Sequence, residues 1–318
     1  MKIETELIAP KYFHETLHQQ IPSTIKDNKL IFDKEFGVGG MTYLQIQKGL
    51  YVNLINAKLN EPLTLCRTAK KVNDYFILNF HLSHSNIIQK TTNKEYQLGF
   101  ENTNIVLSSA CTEATIVIPN NVAVKIFNIG FTIEWLEENI FSSMSNSILS
   151  LFRTDKPIYL FETMNFHHKK KVKLIDFENQ TRLSISSGTL QLLDYFFQEI
   201  AKRNINENRY QNMNHHELSM MLKVSEQIEN SFDNTISVEN LAKMAGMSLS
   251  KFKLLFQQLF GTTPYKYYLA NRMSKSMELL ELNKYSVTEV SYIVGYSNPS
   301  QFSKAFQNHF GILPSEVK

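Results

Sequence analysis

From about Met41 to Phe131 the chain sets short apolar or alternating runs between polar breaks. Thr42–Gln47, Tyr51–Ala57, Tyr75–Leu82, Ile105–Ser108, Thr115–Ile118 and Val122–Phe131 read as strands. The breaks fall at Gly49, Asn60–Pro62, Asn93 and Pro119–Asn121, residue types that turns favour. Six or more strands at this spacing predict a small antiparallel barrel or sandwich, followed by a short helix over Thr132–Ile140. The period then changes from two to 3.6. Leu190, Leu193, Phe197 and Ile200 line one face of Gly188–Arg203, and Leu218, Met221, Val224 and Ile228 one face of Asn214–Ser231. The polar stretch Asn204–Asn214 between them reads as a turn or linker. This helical pair either dimerises the protein or caps the β domain. The expected architecture is α+β and multidomain: a β-rich domain over 1–185, a helical linker over 186–230 and an all-α domain over 231–318.

The all-α segment states one pattern twice. Gly246 answers to Gly295, 49 residues on. After one extra residue, Phe252, Phe256, Phe260, Gly261 and Pro264 answer to Phe302, Phe306, Phe310, Gly311 and Pro314. In the first copy Ser237 is placed to cap a short helix over Val238–Ala245, with Leu241 and Ala245 facing inward. Gly246 permits the left-handed corner between two helices, and Ser248 opens the next helix. Its phenylalanines recur at i, i+4 and i+8 on one buried face. Ser286, Val290, Val294, Gly295 and Ser297 repeat those steps. Each copy, about 237–261 and 286–311, is a helix-turn-helix, whose second helix enters the major groove of DNA. With the phenylalanines inward, the outward stripes are Ser250, Lys253, Leu254 and Gln257, and Ser300, Ser303, Lys304 and Gln307. Ser248, Lys251 and Asn298 complete the candidate DNA-contacting set. Ser, Lys and Gln hydrogen-bond base edges, and Leu254 suits a thymine methyl. Tyr265–Leu282, with a cation at Arg272, reads as one helix holding the two copies at a fixed separation.

Net charge is +3 over 318 residues, and its distribution says more than its size. From Ile236 onward there are nine Lys/Arg and five acids, so the remainder is slightly acidic. The basic excess sits on the repeated segment, as phosphate contact requires. No apolar run approaches 18 residues and the start, MKIETELIAPKYFHE, lacks the core of a signal peptide, so a cytoplasmic protein with no membrane partner is expected. Cys66 and Cys111 have no metal-ligand spacing. Cys66 reads as buried, with a pocket-lining role as the alternative.

The repeated segment resembles the AraC/XylS family of bacterial transcription regulators. The resemblance covers about Phe232–Lys318. It rests on an A-x-x-x-G-M-S corner (Ala242 to Ser248), a P-x-x-Y-x-x-x-x-R linker entry (Pro264, Tyr267, Arg272) and the closing stretch from Gly295 to Glu316. It implies two helix-turn-helix units joined by a helix, and an N-terminal barrel of cupin-like type that binds a small molecule and forms a homodimer. It also implies activation of transcription, with RNA polymerase as a partner. The family commonly has Arg where Leu254 stands, which implies fewer bases read by the first copy, and Ala where Ser276 stands. Phe131–Leu136 (FTIEWL) is faintly similar to the siderophore-responsive branch, without naming an effector.

Other signals are weaker. His14, Glu15 and His18 fit H-E-x-x-H, the zinc-hydrolase helix, but no third ligand is evident. That reading is kept as an alternative function and the regulator reading is preferred. A regulator whose β domain only dimerises is a further alternative. His81 and His84 read as turn residues, and His167–His168, His215–His216 and Lys169–Lys171 as surface. Gly37, Gly39 and Gly40 lack dinucleotide-loop spacing. No catalytic arrangement, metal or cofactor is implied.

Overall fold

A computed structural model describes residues 1–83, 85, 87–91, 94–99, 105–140, 152–162, 164, 168, 171–172, 175–201, 215–231, 237–260 and 262–317. The chain forms two compact units: 1–164 with 168–208, and 165–167 with 209–318. Asn93, His84, His167, Lys169, Lys170, Asn204–Asn214, Phe232, Gly261 and Lys318 lie outside the described residues, as do the side chains of His215, His216 and Leu218.

The first unit is β-rich. Its strands are β1 (Lys2–Glu6), β2 (Ser23–Lys26), β3 (Lys29–Phe32), β4 (Gly37–Gln47), β5 (Leu50–Leu59), β6 (Leu63–Thr68), β7 (Tyr75–His81), β8 (Ile87–Thr91), β9 (Lys94–Leu98), β10 (Ile105–Ser109), β11 (Ala114–Ile118), β12 (Ala123–Thr132) and β13 (Tyr159–Glu162). Helices α1 (Pro10–His18), α2 (Ile133–Asn139) and α3 (Arg182–Ala201) accompany them. The six strands expected from the sequence are present, as β4, β5, β7, β10, β11 and β12. The strands form two sheets, β1-β6-β11-β8-β9 and β13-β10-β7-β12-β5-β4-β3-β2. Two sheets are the sandwich form of the expected barrel or sandwich. One pairing departs from the antiparallel pattern: β1 runs parallel to β6, pairing Ile3 with Leu65 and Thr5 with Arg67.

Strand parity explains how the eight-stranded sheet is used. On β7 and β12, Phe76, Leu78, Phe80, Phe127, Ile129 and Phe131 share one face and are buried. That face packs on α3: Phe131 meets Phe197 edge-on at 5.8 Å between ring centroids. The apolar face of α3 is wide, burying Ile185, Leu192, Leu193, Phe196, Phe197 and Ile200. The opposite parity, Tyr75, Asn79 and His81 on β7 and Ile126 and Asn128 on β12, points to the other sheet.

The second unit is helical: α4 (His215–Asn230), α5 (Val238–Met244), α6 (Leu249–Phe260), α7 (Pro264–Glu281), α8 (Val287–Ile293), α9 (Pro299–Phe310) and a 3-10 turn at Pro314–Glu316. The helices of the expected 186–230 linker therefore belong to different units, α3 to the first and α4 to the second. Met221, Val224 and Ile228 of α4 are fully buried. Met273, Leu279, Leu280, Val290, Val294, Phe302 and Phe306 form one core joining α7, α8 and α9.

Candidate nucleic-acid interface

Both helix-turn-helix units close as their local chemistry dictates. Ser237 Oγ accepts from the Asn240 amide and starts α5. Gly246 takes φ 64° and Gly295 φ 79° at the two corners, values that a side chain with a Cβ adopts only at a cost. In the second unit Ser286 and Glu289 form a reciprocal capping box at the start of α8. On the reading helices Phe252, Phe256, Phe302 and Phe306 are fully buried, Phe260 nearly so and Phe310 partly.

The starts of the two reading helices differ from expectation in one place. Ser248 Oγ accepts from the Lys251 amide at 3.4 Å, as expected. In the second unit the cap is Asn298, not Ser297: Asn298 Oδ1 accepts from the Ser300 amide at 2.8 Å and the Gln301 amide at 3.4 Å. The extra residue falls in the turn, so the cap stands 50 residues after Ser248, in step with the phenylalanines. Pro299 at the first helical position presets the backbone for that start.

The candidate contact residues separate by what already holds them. Ser248 and Asn298 have their side-chain oxygens on helix amides. Lys251 pairs with Glu217 of α4, which ties α6 to the start of α4. Ser250, Lys253, Leu254 and Gln257, and Ser300, Lys304 and Gln307, are exposed; Ser303 is half-buried. Leu254, 58% exposed, is apolar surface that the fold of its own unit does not use. Lys253 lies near Glu239, whose carboxyl is held below its ordinary value first by backbone and Ser237 hydrogen bonds and then by that lysine.

The helix between the units carries a residue whose role the sequence did not disclose. Thr263 caps α7 through the Lys266 amide, and Tyr268, Arg272, Met273, Ser276, Leu279 and Leu280 are its buried face. Arg272 is 8% exposed. Its Nε donates to the Val294 carbonyl at 2.6 Å, and its guanidinium lies 4.1 Å from the Tyr296 ring centroid and 5.2 Å from that of Tyr268. The cation is thus a clamp on the turn of the second unit and not a phosphate contact. Ser276 is fully buried and donates to the Met273 carbonyl at 2.7 Å, so only a small residue fits there.

The first unit holds a slot between its sheets. It is partly open, with a volume of about 120 Å³, and is lined by residues of β5, β7 and β12 on one side, β6, β8, β9 and β11 on the other, and by β1 and α1. Its polar lining includes Asn53, Arg67, Asn79, His81, Gln89 and Asn128, with Glu6 as its acid. His81 is therefore an interior strand residue rather than a turn residue, 4% exposed, and burial lowers its pKa to about 4. His168, expected at the surface, is equally buried, against Phe80 and Tyr195. Cys66 on β6 is half-buried and unpaired and does not line the slot; Cys111 is buried and unpaired. The H-E-x-x-H residues lie on α1, where His14 Nε2 meets Asn53 Oδ1 at 3.1 Å and His18 Nδ1 meets Ser23 Oγ at 3.2 Å. Both histidines are thereby committed to holding α1 on the sheet. No helix among the described residues is long and apolar enough to cross a membrane.

A family model described as a helix-turn-helix domain matches residues 241–318. The probable transcriptional regulator LumQ of Photobacterium leiognathi is 30% identical over 98 residues, 31% of this chain and 40% of that protein. The Msm operon regulatory protein of Streptococcus mutans is 34% identical over 96 residues, 30% of this chain and 34% of that protein. A solved transcriptional regulator from Chromobacterium violaceum, described by its AraC-type DNA-binding domain, is 30% identical, covers 31% of this chain and 88% of that chain, and superposes with a TM-score of 0.30. The matches span 40% and 34% of the two curated relatives' own lengths. With two capped, glycine-cornered helix pairs joined by α7, residues 241–318 are a helix-turn-helix domain.

Proposed function

We propose that the chain is a sequence-specific, DNA-binding transcription regulator. The observation that carries this reading is the duplicated unit: two corners with the same positive-φ glycine, two reading helices with the same buried phenylalanines, and two outward stripes in matching positions. In each unit the reading helix lies in a major groove. Ser250, Lys253, Leu254 and Gln257 meet one element of the site, and Ser300, Ser303, Lys304 and Gln307 the other. The +4 excess from Ile236 onward makes affinity fall steeply with salt.

The resemblance to AraC/XylS regulators supports three finer points: a homodimer, activation through RNA polymerase, and control by a small-molecule effector in the first unit. The polar-lined slot supports the last of these. An effector acts only through tighter binding to the DNA-competent state than to the other.

Selection from a random-sequence duplex library at near-physiological salt tests the reading. The expected result is a site with two elements about 34 Å apart, one helical turn. A folded protein that enriches no sequence, even at low salt, would refute it.

A further inference from the structure

The interior of a two-sheet unit is ordinarily apolar, yet the slot carries a cation. Arg67 on β6 is 6% exposed. Its Nε donates to the Thr112 carbonyl and its Nη1 to the Ser108 hydroxyl, each at 3.0 Å. Both acceptors are neutral. Nη2 is buried with no hydrogen-bond partner, and no carboxylate pairs with Arg67 among the described residues. The acid in the lining, Glu6, is exposed. A buried lysine escapes such a position by losing its proton; a guanidinium does not. Among the described residues the charge therefore has no counter-ion. Leu65, Ile77, Ile87, Ile116 and Ile126 line the same slot beside its amide and imidazole side chains, and most of its wall is apolar, so the body of the occupant is mainly apolar.

Size narrows the class. The slot's 120 Å³ is comparable to the roughly 150 Å³ engineered cavity that admits benzene. It suits a body of a ring or a short chain. The planar fork of a guanidinium matches a carboxylate.

We propose that the slot binds a compact monocarboxylate, its carboxylate seated on Arg67 and its apolar body between the two sheets. This deepens the effector reading and rests on it for its regulatory meaning alone. Unmatched His81 and Asn128 on adjacent strands are left to water or to a hydroxyl on the acid.

Calorimetric titration of the full chain with benzoate and hexanoate, each beside its amide, tests this. Both pairs keep the shape of the ligand and change only its charge. The expected result is binding of at least one acid, with its amide weaker by tenfold or more. Arg67→Gln should abolish that difference, and Ile77→Phe, which leaves Arg67 in place and fills the slot, should abolish binding. Equal binding of acid and amide, no binding of either acid at millimolar concentration, or acid binding kept in Ile77→Phe would each overturn the site. Affinity for the selected duplex is measured in parallel with the same acids. Acid binding that leaves this affinity unchanged would uphold the site and overturn the effector reading.

Discussion

A single residue decides where the second reading helix starts. Asn298 holds the Ser300 and Gln301 amides, and these are donors that would otherwise lack a partner in the helix. Asn298→Ala should lower stability by about 1 kcal/mol, read as a shifted denaturation midpoint. Ser297→Ala should stay within about 0.5 kcal/mol; a reversed order would show that the cap is misplaced. Lys304 stands where the first unit has Leu254, and it is exposed with no partner among the described ion pairs. Lys304→Ala should cost about 1–3 kcal/mol of binding and relax preference at one base position. Equal weakening on every sequence would assign Lys304 to phosphate instead.

At the scale of elements, α7 sets the second unit through Arg272. Arg272→Ala strips a charged donor from a buried carbonyl and should cost about 2–3 kcal/mol. Amide exchange should then quicken in α8 and α9 and stay unchanged in β5 and β12. Arg272→Lys should not restore protection, because an ammonium reproduces neither the Nε geometry nor the stacking on Tyr296. If exchange rises equally in both units, the clamp is not local.

The helices of the second unit were legible in the sequence because their signals are local: Ser237, Ser248 and Ser286 each stand one turn from the amide they cap. Ser297 and Asn298 are adjacent and both residue types cap helices, so only the observed position of the extra residue separates them. The strands before Met41 were missed for a different reason. Lys2–Glu6 has one buried apolar residue, Ile3, and becomes a strand by pairing with Leu63–Thr68, some sixty residues away. Arg67 escapes notice because a polar residue in a strand reads as its wet face, and His81 reads as a turn residue because it stands at a strand's end. Burial of both faces of β7 depends on α3 and on the second sheet, and neither is visible within the strand itself. Arg272 was visible within its motif, but as a residue type without a partner.

For the whole molecule, acid should loosen the first unit before it reaches the carboxylates. Burial lowers both His14 and His81 to about 4, the Asn53 hydrogen bond opposing this in part for His14. The unfolded chain titrates these groups near 6.5. Between those values the unfolded state binds more protons, so stability falls as pH drops from about 6.5 toward 4. Each histidine accounts for about 2 kcal/mol by pH 5. Trp135, the chain's single tryptophan, is 3% exposed in this unit, so its fluorescence follows the unit's unfolding. A denaturant midpoint equal at pH 7.5 and pH 5 would contradict the assignment.

The extra residue in the second turn has a consequence for promoter architecture. The two readers share a plan without being copies: one turn is longer, and Leu254 faces Lys304 across the duplication. Under the proposed function such a chain has polarity on DNA. It would distinguish the left element of its site from the right, so inverting the site without moving it would place the first unit on the wrong sequence. A site for one chain would then behave as an arrow, and two chains on one promoter would be oriented by their arrows as well as by their spacing.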